Sequence, residues 1–132
     1  MSHVSGKYEL DSQENFEKWL MAIGIPAEKA TQMGQSKTVV EIKLEGTQLT
    51  MVYPAKPHRP EIKNVITLGQ ASEVTTPMGK NTVNIRQDGN NMKGTVEAGG
   101  KTMKSTFAFT ATGFVDTVTL GDITATRRYK RI

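Results

Sequence analysis

Hydrophobic and polar residues alternate with a period of two along most of the chain, as is typical of half-buried β-strands. In one clear stretch, Val40, Ile42 and Leu44 alternate with charged residues. Turn-forming Gly, Pro, Asn and Asp residues interrupt the alternation about every ten residues. The pattern therefore predicts about ten strands joined by hairpin-sized turns, with an up-and-down antiparallel meander as the simplest topology.

A segment near the start of the chain has the period of a helix instead. Its large apolar residues share one stripe at the spacing i, i+3, i+4 and i+7: Phe16, Trp19, Leu20 and Ile23. We predict a helix from Ser12, as its N-cap, to Gly24, and a second one from Pro26 to Met33 that ends at Gly34. This helix–turn–helix spans residues 12–34. Its second helix carries one Lys and one acid, which disfavours a role in DNA binding.

The number of strands bears on how the sheet is completed. So many antiparallel strands leave bare edges unless the sheet closes on itself. Several positions on the inward side are small or polar, which a dry core does not favour: Gly94, Ala98, Ser105, Ala125, Gln87 and Thr38. We therefore predict one all-β domain with a small α lid over residues 1–132, a ten-stranded antiparallel up-and-down β-barrel around a cavity. The alternative for individual strands is a one-residue slip at a bulge.

The last predicted strand carries the candidate binding chemistry. Alternation places Ile123, Ala125, Arg127 and Tyr129 on one face and hydrophilic residues on the other. Arg is seldom buried without a partner, so an Arg and a Tyr on an otherwise apolar face suggest a site for an anionic head group. The alternatives are an exposed Arg on an edge strand, or an Arg paired with a carboxylate of the protein itself.

A turn before that strand predicts which residue faces Arg127. If Gly121-Asp122 is a two-residue hairpin turn, Asp116 lies opposite Arg127, with Cβ atoms about 4.5–5.5 Å apart. We therefore expect an ion pair of Asp116 with Arg127 inside the empty barrel. A one-residue bulge near Thr117 would instead turn Asp116 to solvent.

Composition limits the other classes of function. The chain has 132 residues, of which 36% are hydrophobic and 23% charged, which suits a single soluble domain. Its net charge of +4 is spread along the chain, which is weak support for a nucleic-acid partner. It has no cysteine, and His3 and His58 lack the spacing of metal ligands. Without a nucleophile triad or phosphate loop, we expect no catalysis, no cofactor and no metal.

Both ends of the chain resemble the intracellular lipid-binding protein family, the cytosolic fatty-acid-binding proteins. The sequence GKYELDSQENFE at 6–17 resembles the opening signature of the family, and AIGIP at 22–26 resembles its helix junction. The sequences TLGDI at 119–123 and KRI at 130–132 resemble the liver-type branch. TRRY at 126–129 resembles the Arg-x-Tyr carboxylate clamp of the muscle and adipocyte branches.

This resemblance implies a helix-capped, ten-stranded clam that binds and transports long-chain fatty acids in its cavity without catalysis. Arg127 and Tyr129 match the residues that hold the ligand carboxylate, and Phe107 stands where many muscle and adipocyte members have a second inward arginine. A bile-acid or retinoid carrier of the same fold, or a membrane-associating structural protein, are the alternatives. Further residues are expected to line the cavity: Asp116, Phe107, Val118, Met51, Tyr53, Ser105 and Phe16.

The expected ligand is a fatty acid or related hydrophobic anion, and the expected state is a monomer. No signal segment precedes Gly6 and no apolar run is long enough to cross a membrane, so we expect a cytoplasmic protein, with the nucleus as a further location. Transient contact with anionic membranes is a further expectation, given the positive net charge.

Overall fold

The computed structural model describes residues 4–35, 38–55, 57, 60–76, 79–89 and 91–132. In this part of the chain, two helices and ten strands follow one another: β1 Gly6–Glu14, α1 Phe16–Ala22, α2 Ala27–Gln35, β2 Val39–Glu45, β3 Gln48–Tyr53, β4 Ile62–Thr67, β5 Ala71–Thr76, β6 Gly79–Asp88, β7 Asn91–Ala98, β8 Lys101–Phe109, β9 Gly113–Leu120 and β10 Ile123–Arg131. Three positions used in the sequence predictions lie outside the described residues: His3, His58 and the side chain of Met33.

The strands form one antiparallel sheet in the order β4-β3-β2-β1-β10-β9-β8-β7-β6-β5. Strands that follow one another in the chain are neighbours in the sheet, except that β4 and β5 stand at its two ends, and β1 also pairs with β10 and so joins the two halves. The sheet curls until its end strands β4 and β5 face each other, which gives a nearly closed barrel. The predicted ten-stranded antiparallel barrel with a small helical cap is confirmed.

The end strands are joined by side chains over their described residues. Asn64 on β4 donates from Nδ2 to the carbonyl oxygen of Thr75 on β5 and accepts at Oδ1 from the Thr75 N–H, at 2.8 Å. The N–H of Thr67 donates to Ser72 Oγ at 3.1 Å. These contacts take the place of a backbone ladder between β4 and β5.

The start of the first helix differs from the prediction. Strand β1 runs to Glu14, through an irregularity of pairing between Leu10 and Ser12, so Ser12 is a strand residue and not an N-cap. A bulge of this kind interrupts the period of two, which is why the alternation of β1 is lost before Ser12. Asn15 then turns the chain in the left-handed region, with φ of 59°, and donates to the carbonyl oxygen of Thr124 at 3.1 Å.

The helices form a lid, α1 and α2, over one end of the barrel. Phe16, Trp19 and Leu20 of α1 are buried, and Ile23 just after it is partly buried. These residues pack with Ala30 of α2 on a cluster from the barrel wall: Ala98, Met103, Val118 and Ala125. The indole N–H of Trp19 donates to the sulfur of Met103 at 2.9 Å. Helix α2 continues through Gly34 to Gln35, so the predicted stop at Gly34 is wrong.

Two of the small or polar positions assigned to the inward side have other roles. Gln87 lies opposite the buried Met92, on the inward face, but it is exposed near the end of β6 and donates to the carbonyl oxygen of Gly89 in the turn that follows. At Gly94, a Cβ atom would collide with the carbonyl oxygen of Asn84 on β6. The glycine therefore permits close approach of two backbones.

Candidate functional site

The barrel encloses a mostly apolar cavity of about 120 Å³. All nine residues singled out from the sequence lie on its wall: Phe16, Met51, Tyr53, Ser105, Phe107, Asp116, Val118, Arg127 and Tyr129. Strands on both sides of the barrel and helix α1 contribute to this wall. The polar groups of Asp116, Arg127 and Tyr129 lie together on β9 and β10, and we call these three residues the head-group site.

The register of β9 and β10 brings the head-group site together. Leu120 pairs with Ile123 across the Gly121-Asp122 turn, and the ladder then places Asp116 opposite Arg127 and Phe114 opposite Tyr129. The register predicted from the turn is therefore confirmed, with no bulge at Thr117. On its other side, Asp116 pairs with Phe107 of β8.

Arg127 is held from the lid side of the cavity. Its Nη2 donates to Thr38 Oγ1 at 3.0 Å, just before β2. Its guanidinium carbon lies 4.2 Å from the centre of the Phe16 ring of α1, a cation–π contact. The Nε–H of Arg127 is buried and has no hydrogen-bond partner among the described residues. An unpaired buried donor is costly, so this Nε–H is ready to bind an acceptor.

Asp116 faces the same space, but it does not form the expected ion pair. Among the ion pairs of the described residues, none joins Asp116 to Arg127, because the guanidinium turns to Thr38 and Phe16 instead. The prediction of a direct pair is therefore wrong. Asp116 is partly exposed, but the surface that it exposes faces the cavity. Burial raises the pKa of Asp116 to about 6, against an opposing effect of the Arg127 charge.

Tyr129 presents a neutral hydroxyl to the cavity. Its ring stacks on Phe114, with ring centres 4.4 Å apart and an interplanar angle of 10°. Burial is the largest cause that raises the pKa of Tyr129; Arg127 opposes the shift, while Tyr53 and Asp116 add to it. The phenol therefore keeps its proton at neutral pH and acts as a hydrogen-bond donor.

The lid is in contact with the head-group site through one aromatic side chain. Phe16 lies between the Arg127 guanidinium and Trp19, whose ring is stacked 5.9 Å away at 23°. Trp19 in turn reaches Met103 on β8. A change in the position of Arg127 therefore alters contacts of α1.

Some cavity residues were not identified from the sequence. Two are polar, Asn64 and Asn81, on the side of the barrel where β4 and β5 meet. Asn64 is 8% exposed and alternates inward between Ile62 and Ile66, a signal that the pattern of β4 did contain. Thr38 was identified as an inward polar residue, but its bond to Arg127 depends on tertiary contacts that the sequence does not reveal.

The described part of the chain contains no group of three His, Cys, Asp or Glu residues that could hold a metal ion. None of its helices is both long and apolar enough to span a membrane.

Comparison with known proteins identifies relatives over the full length. A family model described as Lipocalin / cytosolic fatty-acid binding protein family matches residues 1–132. The chain is 37% identical over 133 residues to "Fatty acid-binding protein, liver" of Mus musculus, covering 98% of this chain and 99% of that protein. It is 34% identical over 133 residues to the protein of the same name from Sus scrofa, with the same coverage.

A solved structure shows the same architecture. The fatty acid binding protein of Schistosoma mansoni in complex with arachidonic acid superposes with a TM-score of 0.84, over 98% of this chain and 96% of that one. Its sequence identity is 20%, so this likeness shows the fold alone.

Proposed function

Since the chain belongs to the lipocalin / cytosolic fatty-acid binding protein family, we propose that it carries a long-chain fatty acid in the barrel cavity, with the carboxylate held by Arg127 and Tyr129. The observation that carries the proposal is the buried, unpartnered Nε–H of Arg127 beside a neutral phenol at the wall of an apolar cavity. Liver fatty acid-binding proteins among its relatives support the choice of ligand.

The cavity suits the two ends of such a ligand differently. Each CH₂ group of an acyl chain that leaves water contributes about 0.8 kcal/mol, and most of the cavity wall is aliphatic or aromatic. The carboxylate needs donors to replace its water, and a guanidinium donor gives a charge-assisted hydrogen bond. Arg127 and the Tyr129 hydroxyl provide a cationic and a neutral donor on adjacent inward positions of β10.

The proposal extends to the setting of the protein. We infer a monomeric cytoplasmic carrier, with access to the nucleus, that contacts anionic membranes transiently when its ligand exchanges. The family name and the net charge of +4 support this setting, because a positive charge favours encounters with anionic surfaces.

The first test is chemical identification of what the purified protein carries. Mass spectrometry of an organic extract is expected to find fatty acids at a substantial fraction of the protein concentration. Delipidated protein should then bind an added fatty acid in a calorimetric titration. An extract without lipid, together with no binding of added fatty acid, would reject the proposed function.

The second test concerns the role of Arg127. In Arg127→Leu, affinity for a fatty acid should fall roughly 10- to 150-fold, since a hydrogen bond to a charged group contributes about 1.5–3 kcal/mol. Affinity for the alcohol of equal chain length should change far less. Arg128→Leu is the matched control, because Arg128 is on the outer face of β10 and pairs with Glu14. Equal losses for acid and alcohol in Arg127→Leu would show that Arg127 does not anchor a carboxylate.

A further inference from the structure

A carboxyl group of the protein, that of Asp116, lies beside the place where the proposed ligand would put its carboxylate. Asp116 and Arg127 are opposed in the β9–β10 ladder, and both line the cavity. Arg127 is the one cationic side chain among the described lining residues. An ionised fatty acid at Arg127 would therefore place two carboxylates beside one guanidinium, away from bulk water. Like charges in such a site disfavour double ionisation, so one carboxyl takes a proton or the ligand is neutral.

The hydrogen-bonding capacity around Asp116 also favours a ligand that is neutral or brings a proton. Over the described residues its carboxylate accepts no hydrogen bond, and no ion pair includes it. A carboxylate that merely balanced the charge of Arg127 would be expected to bond to it, since paired buried charges need good hydrogen-bonding geometry. Asp116 thus presents free acceptor oxygens to the cavity, while Arg127 and Tyr129 present donors.

We propose that Asp116 is a specificity-determining residue, which makes the head-group site prefer head groups that both donate and accept a hydrogen bond. This inference rests on the proposed function. The preferred class comprises the protonated carboxylic acid and neutral relatives such as primary fatty amides. The ligand donates to Asp116 and accepts from Arg127 and Tyr129. An ionised fatty acid binds only with uptake of one proton, which the two carboxyl groups share.

The surroundings of Asp116 allow it to hold that proton. Its neighbours on β8 and β9 are neutral, and the ionisable groups facing it are Arg127 and Tyr129 on β10 and, across the cavity, Tyr53 on β3. Burial already raises the pKa of Asp116 to about 6 without any ligand. A ligand carboxylate is a second negative charge and raises the pKa further, so protonation is accessible near neutral pH.

The test compares ligands that have the same acyl chain and different head groups. Binding of a fatty acid, its primary amide and its methyl ester is measured by calorimetry at several values between about pH 6 and about pH 8. The ester accepts a hydrogen bond but cannot donate one. For the unaltered protein, we expect acid affinity to fall roughly tenfold per pH unit, because one proton is taken up. Amide affinity should change no more than about twofold over this range, because Asp116 is at least half ionised throughout, and it should exceed ester affinity.

Asp116→Asn removes the charge with little change of shape. In this variant, acid affinity at about pH 8 should rise tenfold or more and lose its pH dependence, because the site no longer contains a second carboxylate. Asp122→Asn, in the exposed turn before β10, is the matched control and should behave like the unaltered protein. His3 and His58 lie outside the described residues, and a pH dependence due to either would persist in Asp116→Asn.

Proton uptake can also be measured without a variant. Titrations of the unaltered protein with fatty acid in two buffers of different ionisation enthalpy should give an uptake approaching one proton per ligand. Acid binding that takes up no proton, or that is unchanged in Asp116→Asn, would overturn the role of Asp116 and leave the proposed function standing. If none of the ligands bound any variant, the proposed function and this inference would both fail.

Discussion

Replacing Asn64 by Ala tests whether one side chain holds the end strands of the barrel together. The change removes the two hydrogen bonds between Asn64 and the backbone of Thr75, which take the place of a ladder between β4 and β5. Each hydrogen bond contributes a net of about 0.5–1.5 kcal/mol, so the two together contribute about 1–3 kcal/mol. The cost should lie near the upper end, because both Thr75 groups would lose their partner beside a cavity.

The loss should be visible in equilibrium unfolding. For a domain of this length, 1 kcal/mol corresponds to roughly 4 °C, so a loss of about 3 kcal/mol lowers Tm by roughly 12 °C. Urea titration followed by circular dichroism gives the free energy of unfolding, and fluorescence of Trp19, the single tryptophan of the chain, follows the lid separately. The two transitions should coincide if the lid and the barrel unfold together.

Asn81→Ala provides the matched control. Asn81 also lines the cavity, on β6, but its side chain makes no hydrogen bond within the described part of the chain. We expect its replacement to cost less than about 0.5 kcal/mol. Equal costs for Asn64→Ala and Asn81→Ala, or a cost below about 0.5 kcal/mol for Asn64→Ala, would refute the closing role of Asn64.

Two further predictions concern the lid and the pH dependence of stability. Replacing residues 16–34 by a short Gly/Ser linker should leave a folded β protein with faster ligand exchange in stopped-flow measurements, and the absence of a cooperative β unfolding transition would contradict it. The pKa of Asp116 is raised from 3.8 to about 6 in the folded protein, so the folded state binds more protons than the unfolded state between these values, and stability falls as pH rises through this window. The total loss of unfolding free energy over this window is about 3 kcal/mol, and Asp116→Asn should not show it. Parallel curves of unfolding free energy against pH for the unaltered protein and Asp116→Asn would disprove this prediction.

The parts of the fold set by local chemistry could be predicted from the sequence. Alternation gave the strands, and the Gly121-Asp122 turn gave the pairing of Asp116 with Arg127, because a two-residue turn permits one register. The same alternation predicted residues that line the cavity. Whether Arg127 and Tyr129 hold a ligand remains a prediction.

The errors occurred where tertiary contacts override the local pattern. The irregularity between Leu10 and Ser12 broke the period of β1, so the N-cap of the helix was placed at Ser12, three residues before Asn15. The ion pair of Arg127 with Asp116 was expected from Cβ spacing alone, but the guanidinium finds Thr38 and Phe16, residues distant in the chain. No property of the sequence around Arg127 specifies those partners.

The pairing of β1 with β10 has a consequence for the order in which the protein folds. The two strands pair across more than a hundred intervening residues, for example Tyr8 with Arg131, whereas the other neighbours in the sheet are strands that follow one another in the chain. Such distant pairing carries a high loop-closure entropy and forms slowly. Because β10 follows the other nine strands, a nascent chain on the ribosome has neither Arg127 nor a closed barrel until β10 emerges. Hairpins can form during synthesis, but ligand cannot assist folding before that last strand is in place.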